Sequence, residues 1–380
     1  MSILIISMYL DYHADAVFWA LEKSGVDVLK WTISDFPAEQ GLSINISNEF
    51  VSFHASDWTK NGKGIVGDGK IDGGCDVVWN RRIGRPQISS GTKKSDKAFI
   101  LSESEHARRG FINNICQNST WINTDSANYK YNNKLSQLTL ANNVGFIIPE
   151  TLITNNPIDV KEFIKKHENV VYKAFTTPQW YDRKNKNIYT AMTTKIDLND
   201  IHEMEESIKI CPGIFQKYKN KKYEIRITVM GEKCIAVKLN SQDSEKSIID
   251  WRAGNYDFSI EEIILPDYIY LKIMTFMKKS GLLFGCIDMI VDKDDNYIFL
   301  EINTSGQFLW IEAINPEINM LSEFCKFILN NSNYNTEICS TQINLEKFSS
   351  TEISKFSLGE SKEKYNKNKA RYQNNTVFKE

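Results

Sequence analysis

Three oxygen-bearing side chains near residue 300 have the spacing of a site for a hard metal ion. Asp288 leads the apolar run Asp288-Met289-Ile290-Val291, and Glu301 and Asn303 lie two residues apart in Phe299-Leu300-Glu301-Ile302-Asn303. Side chains alternate between the two faces of a strand, so Glu301 and Asn303 face the same way. Asp288, on a neighbouring strand, completes an all-oxygen set suited to Mg²⁺, which prefers oxygen donors and usually shares its shell with nucleotide phosphates. A lone strand carboxylate is ordinarily a solvated face or half of an ion pair. Three donors framed by apolar residues point instead to an ATP-using enzyme. The remaining candidates offer no rival chemistry. His13, His54, His106, His167 and His202 lack ligand spacing, and the seven cysteines at 75, 116, 211, 234, 286, 325 and 339 form no CxxC pair. That cysteine pattern argues against a disulfide framework, a zinc site and a cysteine nucleophile, and fits a reducing cytoplasm.

The elements that must position these residues read as a mixed α/β chain. Ile3-Leu4-Ile5-Ile6 has the unbroken apolar character of a buried parallel strand. A helix from His13 to Lys23 and a strand over Val26–Trp31 complete a βαβ start. Residues 60–74 read as a hairpin or loop, Asp76–Trp79 as a strand and Ser102–Cys116 as a helix that closes a first domain at 1–120. In the second block, 121–213, a helix over Asn133–Asn143 ends at Gly145, strands run over Ile147–Ile153 and Val170–Phe175, and Thr176–Thr190 is a polar loop. A third block, 214–330, is mostly antiparallel, with strands Gly213–Tyr218 and Glu224–Val229 and a helix Leu265–Lys279 before the metal-ligand strands. Residues 331–380 are rich in Asn, Ser, Thr, Lys and Glu and read as a polar tail with little core of its own. Phe348, Ile353, Phe356 and Leu358 are spaced so that a short segment of it could dock onto the body.

In order along the chain come Lys134 opening a helix, Lys173 in an apolar strand, Gln216-Lys217-Tyr218, Glu224-Ile225-Arg226, and Asp288 with Glu301-Ile302-Asn303. This order resembles the ATP-grasp superfamily, whose members join a carboxylate to a nucleophile through an acylphosphate. Finer features resemble the graspetide synthetases, which macrocyclise ribosomal peptides as in microviridin maturation. They are Asp35-Phe36-Pro37, Val78-Trp79-Asn80-Arg81-Arg82, Gln137-Leu138, Asp250-Trp251-Arg252 and Gly306-Gln307-Phe308-Leu309-Trp310-Ile311-Glu312. The resemblance covers about residues 1–330. It implies an ATP-grasp fold: an N-terminal Rossmann-like pre-ATP-grasp domain, a central α+β subdomain and a C-terminal, mostly antiparallel subdomain.

The same resemblance assigns roles. Lys134 and Lys173 would meet the ATP phosphates, Gln216, Lys217 and Tyr218 would sit at the adenine hinge, and Glu224 would lie near ribose or adenine. Arg226 would face the γ-phosphate or acylphosphate, and Asp288, Glu301 and Asn303 would bind Mg²⁺. Arg252 beside Trp251 would hold the acidic acceptor of a precursor peptide, made of a leader and an acidic core, that is crosslinked by esters or amides. Many ATP-grasp enzymes lay a glycine-rich loop over the phosphates. Thr176–Thr190 has no glycine, so its grip would come from Arg183 and Lys184, with Arg183 also reaching the peptide. Two alternatives stay open: a ligase adding amino acids to a small molecule or protein terminus, and a peptide-binding module without turnover. The net charge of −2, from 46 basic against 48 acidic residues, favours neither nucleic acid nor an anionic membrane. No apolar run reaches the length of a membrane span, and the N-terminus reads as a core strand and not a signal peptide. A homodimer is compatible with this reading.

Overall fold

The computed structural model describes residues 3–8, 11–57, 63–66, 74–176, 179–182, 187–190, 193–241 and 258–355. The chain forms two compact units. One is Met1–Asn128, Gly281–Phe284 and Thr304–Glu380; the other is Tyr129–Ser280 and Gly285–Asn303. The chain thus returns to the first unit at residue 304, short of the boundary expected at 330.

In the first unit every residue of Ile3–Ser7 is buried, as a strand covered on both faces must be. The sheet order is Val28–Trp31, Ile3–Ser7, Val77–Arg82, Thr120–Ile122, all parallel. The helix Tyr12–Lys23 starts at Asp11, whose carboxylate accepts from the N–H groups of His13 and Ala14 at 3.0 and 3.2 Å, an N-cap. Lys63–Val66 falls in the stretch read as hairpin or loop and pairs with Val51–Asp57, which also pairs with Gln40–Ile46. The helix expected at Ser102–Cys116 runs Lys97–Asn114.

Asn123 is 1% exposed and saturates its carboxamide. Its Oδ1 accepts from the N–H groups of Leu283 and Phe284 at 2.8 and 3.0 Å. Its Nδ2 donates to the carbonyls of Phe284 and Thr304 at 2.9 and 3.2 Å. One side chain therefore ties the start of the strand carrying Asp288 to the end of the strand carrying Glu301 and Asn303. Asn123→Ala would remove the bonds to the N–H and carbonyl of buried Phe284 as well as those to Leu283 and Thr304, and a buried group left unsatisfied costs about 1–3 kcal/mol. It is expected to lower stability by about 3 kcal/mol or more, read as the denaturant midpoint at unchanged slope.

The reading of 331–380 as a polar tail with little core of its own fails up to Lys355, and the alternative that a short segment docks onto the body holds for Phe348. Phe348 is fully buried, with its ring 5.1 Å from Tyr12 and 5.6 Å from Trp19. Ile338, Ile343 and Leu345 are buried with it. The Glu312 carboxylate, itself buried, accepts from the N–H groups of Leu321 and Leu345 at 2.8 and 2.6 Å. Burial pushes the Glu312 carboxyl above the usual range against those backbone donors. Average polarity over the segment understated its core, because a few apolar residues, Phe348 among them, pack on the Tyr12–Lys23 helix. Phe356 and Leu358 lie outside the described residues.

Besides a two-stranded hairpin, the second unit holds two sheets whose described pairings are antiparallel. The smaller has the order Thr194–Ile196, Val170–Lys173, Gly213–Lys217, Thr151–Thr154. Val160, Ile164, Ile201 and Ile208 of the helices Pro157–His167 and Leu198–Ile210 cover it. The larger has the order Ile260–Ile263, Lys233–Leu239, Tyr223–Met230, Phe284–Val291, Tyr297–Asn303. Phe299 on it packs against Phe146 and against Phe276 of the helix Asp267–Ser280, with ring centres 5.4 and 5.5 Å away. The expected strand Ile147–Ile153 divides between the sheets: Ile147 bridges to Ile298, while Thr151–Thr154 joins the smaller sheet. Within the expected polar loop at Thr176–Thr190, Gln179–Asp182 pairs with Asn187–Thr190 as a hairpin.

Candidate active site

The larger sheet of the second unit gathers the predicted polar residues on one face. Tyr223–Met230 carries Glu224, Arg226 and Thr228 at alternate positions, all buried. On the next strands Asp288 is paired with Glu301 and Cys286 with Asn303, and directly opposed residues share a face. The register shifts immediately afterwards, because Met289 pairs with Phe299 and leaves Leu300 as the extra residue. A β-bulge therefore sits against the acidic pair, where such bulges re-aim side chains.

Ion pairs and hydrogen bonds join these residues. Arg226 Nη1 donates to Asp288 Oδ1 at 2.7 Å, both side chains being nearly inaccessible. Lys134 is the first residue of the helix Lys134–Val144, which Asn133 caps by accepting from the Leu135 N–H at 2.9 Å, and its Nζ pairs with Glu301 Oε2. Asn303 Nδ2 lies 3.3 Å from Asp288 Oδ2 and 3.4 Å from Glu301 Oε1. A half-turn of that carboxamide exchanges its nitrogen for its oxygen, so three oxygens on one sheet face can meet at one point. Two carboxylates and an amide, with no sulfur or imidazole, fit a hard divalent cation. Among the described residues no group of three or more His, Cys, Asp or Glu could hold a metal.

The remaining expected residues lie around this group or on the smaller sheet. Lys173 Nζ donates to Gln216 Oε1 at 2.7 Å, and Gln216 Nε2 donates to Thr151 Oγ1 at 2.9 Å. Lys217 reaches Glu150 at 3.4 Å. The N–H groups of Lys217 and Tyr218 are engaged by the carbonyls of Glu150 and Asn169 at 2.9 Å each. Lys195 sits over the Tyr218 ring, 4.4 Å from its centre. Burial raises the Tyr218 hydroxyl above its ordinary range. Glu224 takes Lys221 Nζ at 2.7 Å and Ser241 Oγ at 2.9 Å. Burial lifts its carboxyl above the usual range even so. Arg183, Lys184, Trp251 and Arg252 lie outside the described residues.

Gln137 holds the backbone at the centre of the site and had no assigned role in the sequence reading. Its mark there was its place in Gln137-Leu138, one of the pieces that carry the resemblance. Asn123 had no local signal.

Residues 133–306 match the model of the prokaryotic glutathione synthetase ATP-grasp domain. The chain carries an ATP-grasp domain. Similarity to solved structures extends well beyond that domain. A RiPP-associated ATP-grasp ligase of Chryseobacterium gregarium, solved with ADP and a leader and core peptide, is 26% identical. That match has a TM-score of 0.77 and covers 89% of this chain and 100% of that one. The macrocyclase MdnC of Microcystis aeruginosa MRC, bound with precursor peptide MdnA, is also 26% identical, with a TM-score of 0.74 over 87% and 100% of the two chains. The macrocyclase MdnB of the same organism is 25% identical, with a TM-score of 0.70 over 86% and 99%. No curated protein matches the sequence at a significant level. Among the described residues no helix is long and apolar enough to cross a membrane.

Proposed function

We propose that this ATP-grasp protein is a cytoplasmic ligase that crosslinks a ribosomal precursor peptide. The observation that carries the reading is likeness to peptide-modifying ATP-grasp ligases over 86–89% of the chain, far outside the nucleotide domain.

In the proposed reaction a carboxylate oxygen of a peptide Asp or Glu attacks the γ-phosphorus of ATP, the bond to the bridging oxygen breaks, and ADP leaves. A Thr or Ser hydroxyl or a Lys amine of the same peptide then adds to the acylphosphate, gives up its proton and expels inorganic phosphate. The peptide loses one water per ester or amide. Asp288, Glu301 and Asn303 would hold Mg²⁺, which when bound neutralises charge on the phosphates. Lys134 and Lys173 approach from different elements and would counter the charge that develops as the phosphoryl group moves. Arg226, fixed by Asp288, would present a planar guanidinium to the transferring group. Gln216, Lys217, Tyr218 and Glu224 would line the nucleoside side. Arg183, Trp251 and Arg252 would engage the acidic core of the peptide while its leader binds elsewhere on the chain.

The test is to incubate the protein with Mg-ATP and the short peptide encoded beside its gene. Mass spectrometry should show one water lost for each ADP released. ADP release without dehydration would refute the crosslinking step. Arg252→Ala is expected to keep Mg-ATP binding and lose dehydration, and full dehydration by this variant would remove Arg252 from the site. Lys134→Met and Lys173→Met should each weaken nucleotide binding by about tenfold or more, as expected for lost hydrogen bonds to a charged group. Calorimetry with unchanged affinity in both variants would refute the phosphate role.

A further inference from the structure

We propose that Gln137 is a positioning residue that locks the register of the edge strand bearing Glu301 and Asn303 and fixes Lys134 against it. Tyr297–Asn303 is the last strand of its sheet, and on its outer side Ile147 forms only an isolated bridge, at Ile298. At Ile302, between the two predicted metal ligands, a side chain takes the place of a strand partner. Gln137 Oε1 accepts from the Ile302 N–H at 3.0 Å, and Nε2 donates to the Ile302 carbonyl at 2.9 Å and to the Tyr131 carbonyl at 2.6 Å. A carboxamide carries the same donor and acceptor as a peptide group, so Gln137 acts as one rung of a missing strand. It is 3% exposed, and water is a poor substitute.

The bulge at Leu300 makes that rung consequential. A one-residue slip in pairing turns every following side chain to the opposite face, and it would carry Glu301 and Asn303 away from Asp288. The edge strand is held on both sides of the bulge: the Phe299 N–H donates to the Ile147 carbonyl at 2.9 Å, and Gln137 grips Ile302. Lys134 lies three residues before Gln137 on the same helix, and side chains at that spacing share a face. The grip on Ile302 therefore also sets where Lys134 meets Glu301.

The activity part of the test rests on the ligase reading; the exchange part does not. In the unmodified protein without added Mg²⁺, the Ile302 amide should exchange with solvent as slowly as the sheet-interior amides of Ile287 and Ile290. Free exchange at Ile302 overturns the proposal without any variant. In Gln137→Met, exchange over 297–303 should rise by about tenfold, as for one lost hydrogen bond. The Mg²⁺ concentration for half-maximal ADP release should rise by about 10–100-fold, as for groups that orient metal ligands. Saturating Mg²⁺ should restore most of kcat, which a general loss of fold would not allow. Gln137→Glu, isosteric but with an acceptor facing two carbonyls, should shift exchange and Mg²⁺ demand in the same direction if the methionine variant is insoluble. Unchanged exchange and Mg²⁺ demand in a folded variant refute the role. If the unmodified protein releases no ADP, the ligase reading fails and the exchange measurements alone judge Gln137.

Discussion

Glu301→Ala is expected to abolish ADP release while leaving the fold intact. The Glu301 carboxylate joins Lys134 and the Asn303 amide on one sheet face, so its loss removes one oxygen donor and the partner that positions a cation. Losing preorganised charge stabilisation of this kind costs on the order of 10²–10³ in rate. The structural cost is small, because the Lys134 side chain keeps 23% of its surface in solvent and can hydrate its ammonium. Asp288→Ala is a poorer test. The Arg226 side chain is only 5% accessible, and removing the partner of a buried cation costs about 3–5 kcal/mol, so lost activity would be confounded with lost fold. ADP release and circular dichroism on Glu301→Ala decide the matter, and normal ADP release would refute a role for this carboxylate at the phosphates.

The residues that group on the larger sheet were legible because strand alternation is a local rule. Glu301 and Asn303 share a face by spacing alone, and an apolar strand carrying Asp288 had to pair nearby. Lys134 was legible as the opening of a helix, though not its contact with Glu301. The extra residue at Leu300 was invisible, since a bulge is a property of two strands and the sequence shows them singly. Asn123 and Gln137 escaped for the same reason: their partners lie about 160 residues away, at Phe284 and Ile302. The hairpin inside Thr176–Thr190 was missed because a stretch without glycine and with few apolar residues carries no ordinary turn signal. Alternation thus revealed which side chains share a face, while long-range backbone bonds set where that face is.

The same limit governs the C-terminal segment, where composition and structure disagree most. Ending the chain after Asn331 is expected to destroy the soluble fold of the first unit. Such a truncation strips Phe348 from its place against Tyr12 and Trp19, removes buried Ile338, Ile343 and Leu345, and takes one backbone donor from the buried Glu312 carboxylate. Deleting a buried phenylalanine side chain alone costs about 3–5 kcal/mol, against a total stability of about 5–15 kcal/mol. The Tyr12–Lys23 helix would also show water the apolar surface that the segment covers, and a protein in that state aggregates. Phe348→Ala separates packing from length: it should lower the thermal midpoint by several degrees in soluble, full-length protein. If the truncated chain is soluble with an unchanged midpoint, residues 332–355 contribute nothing to the core and the burial of Phe348 is energetically idle.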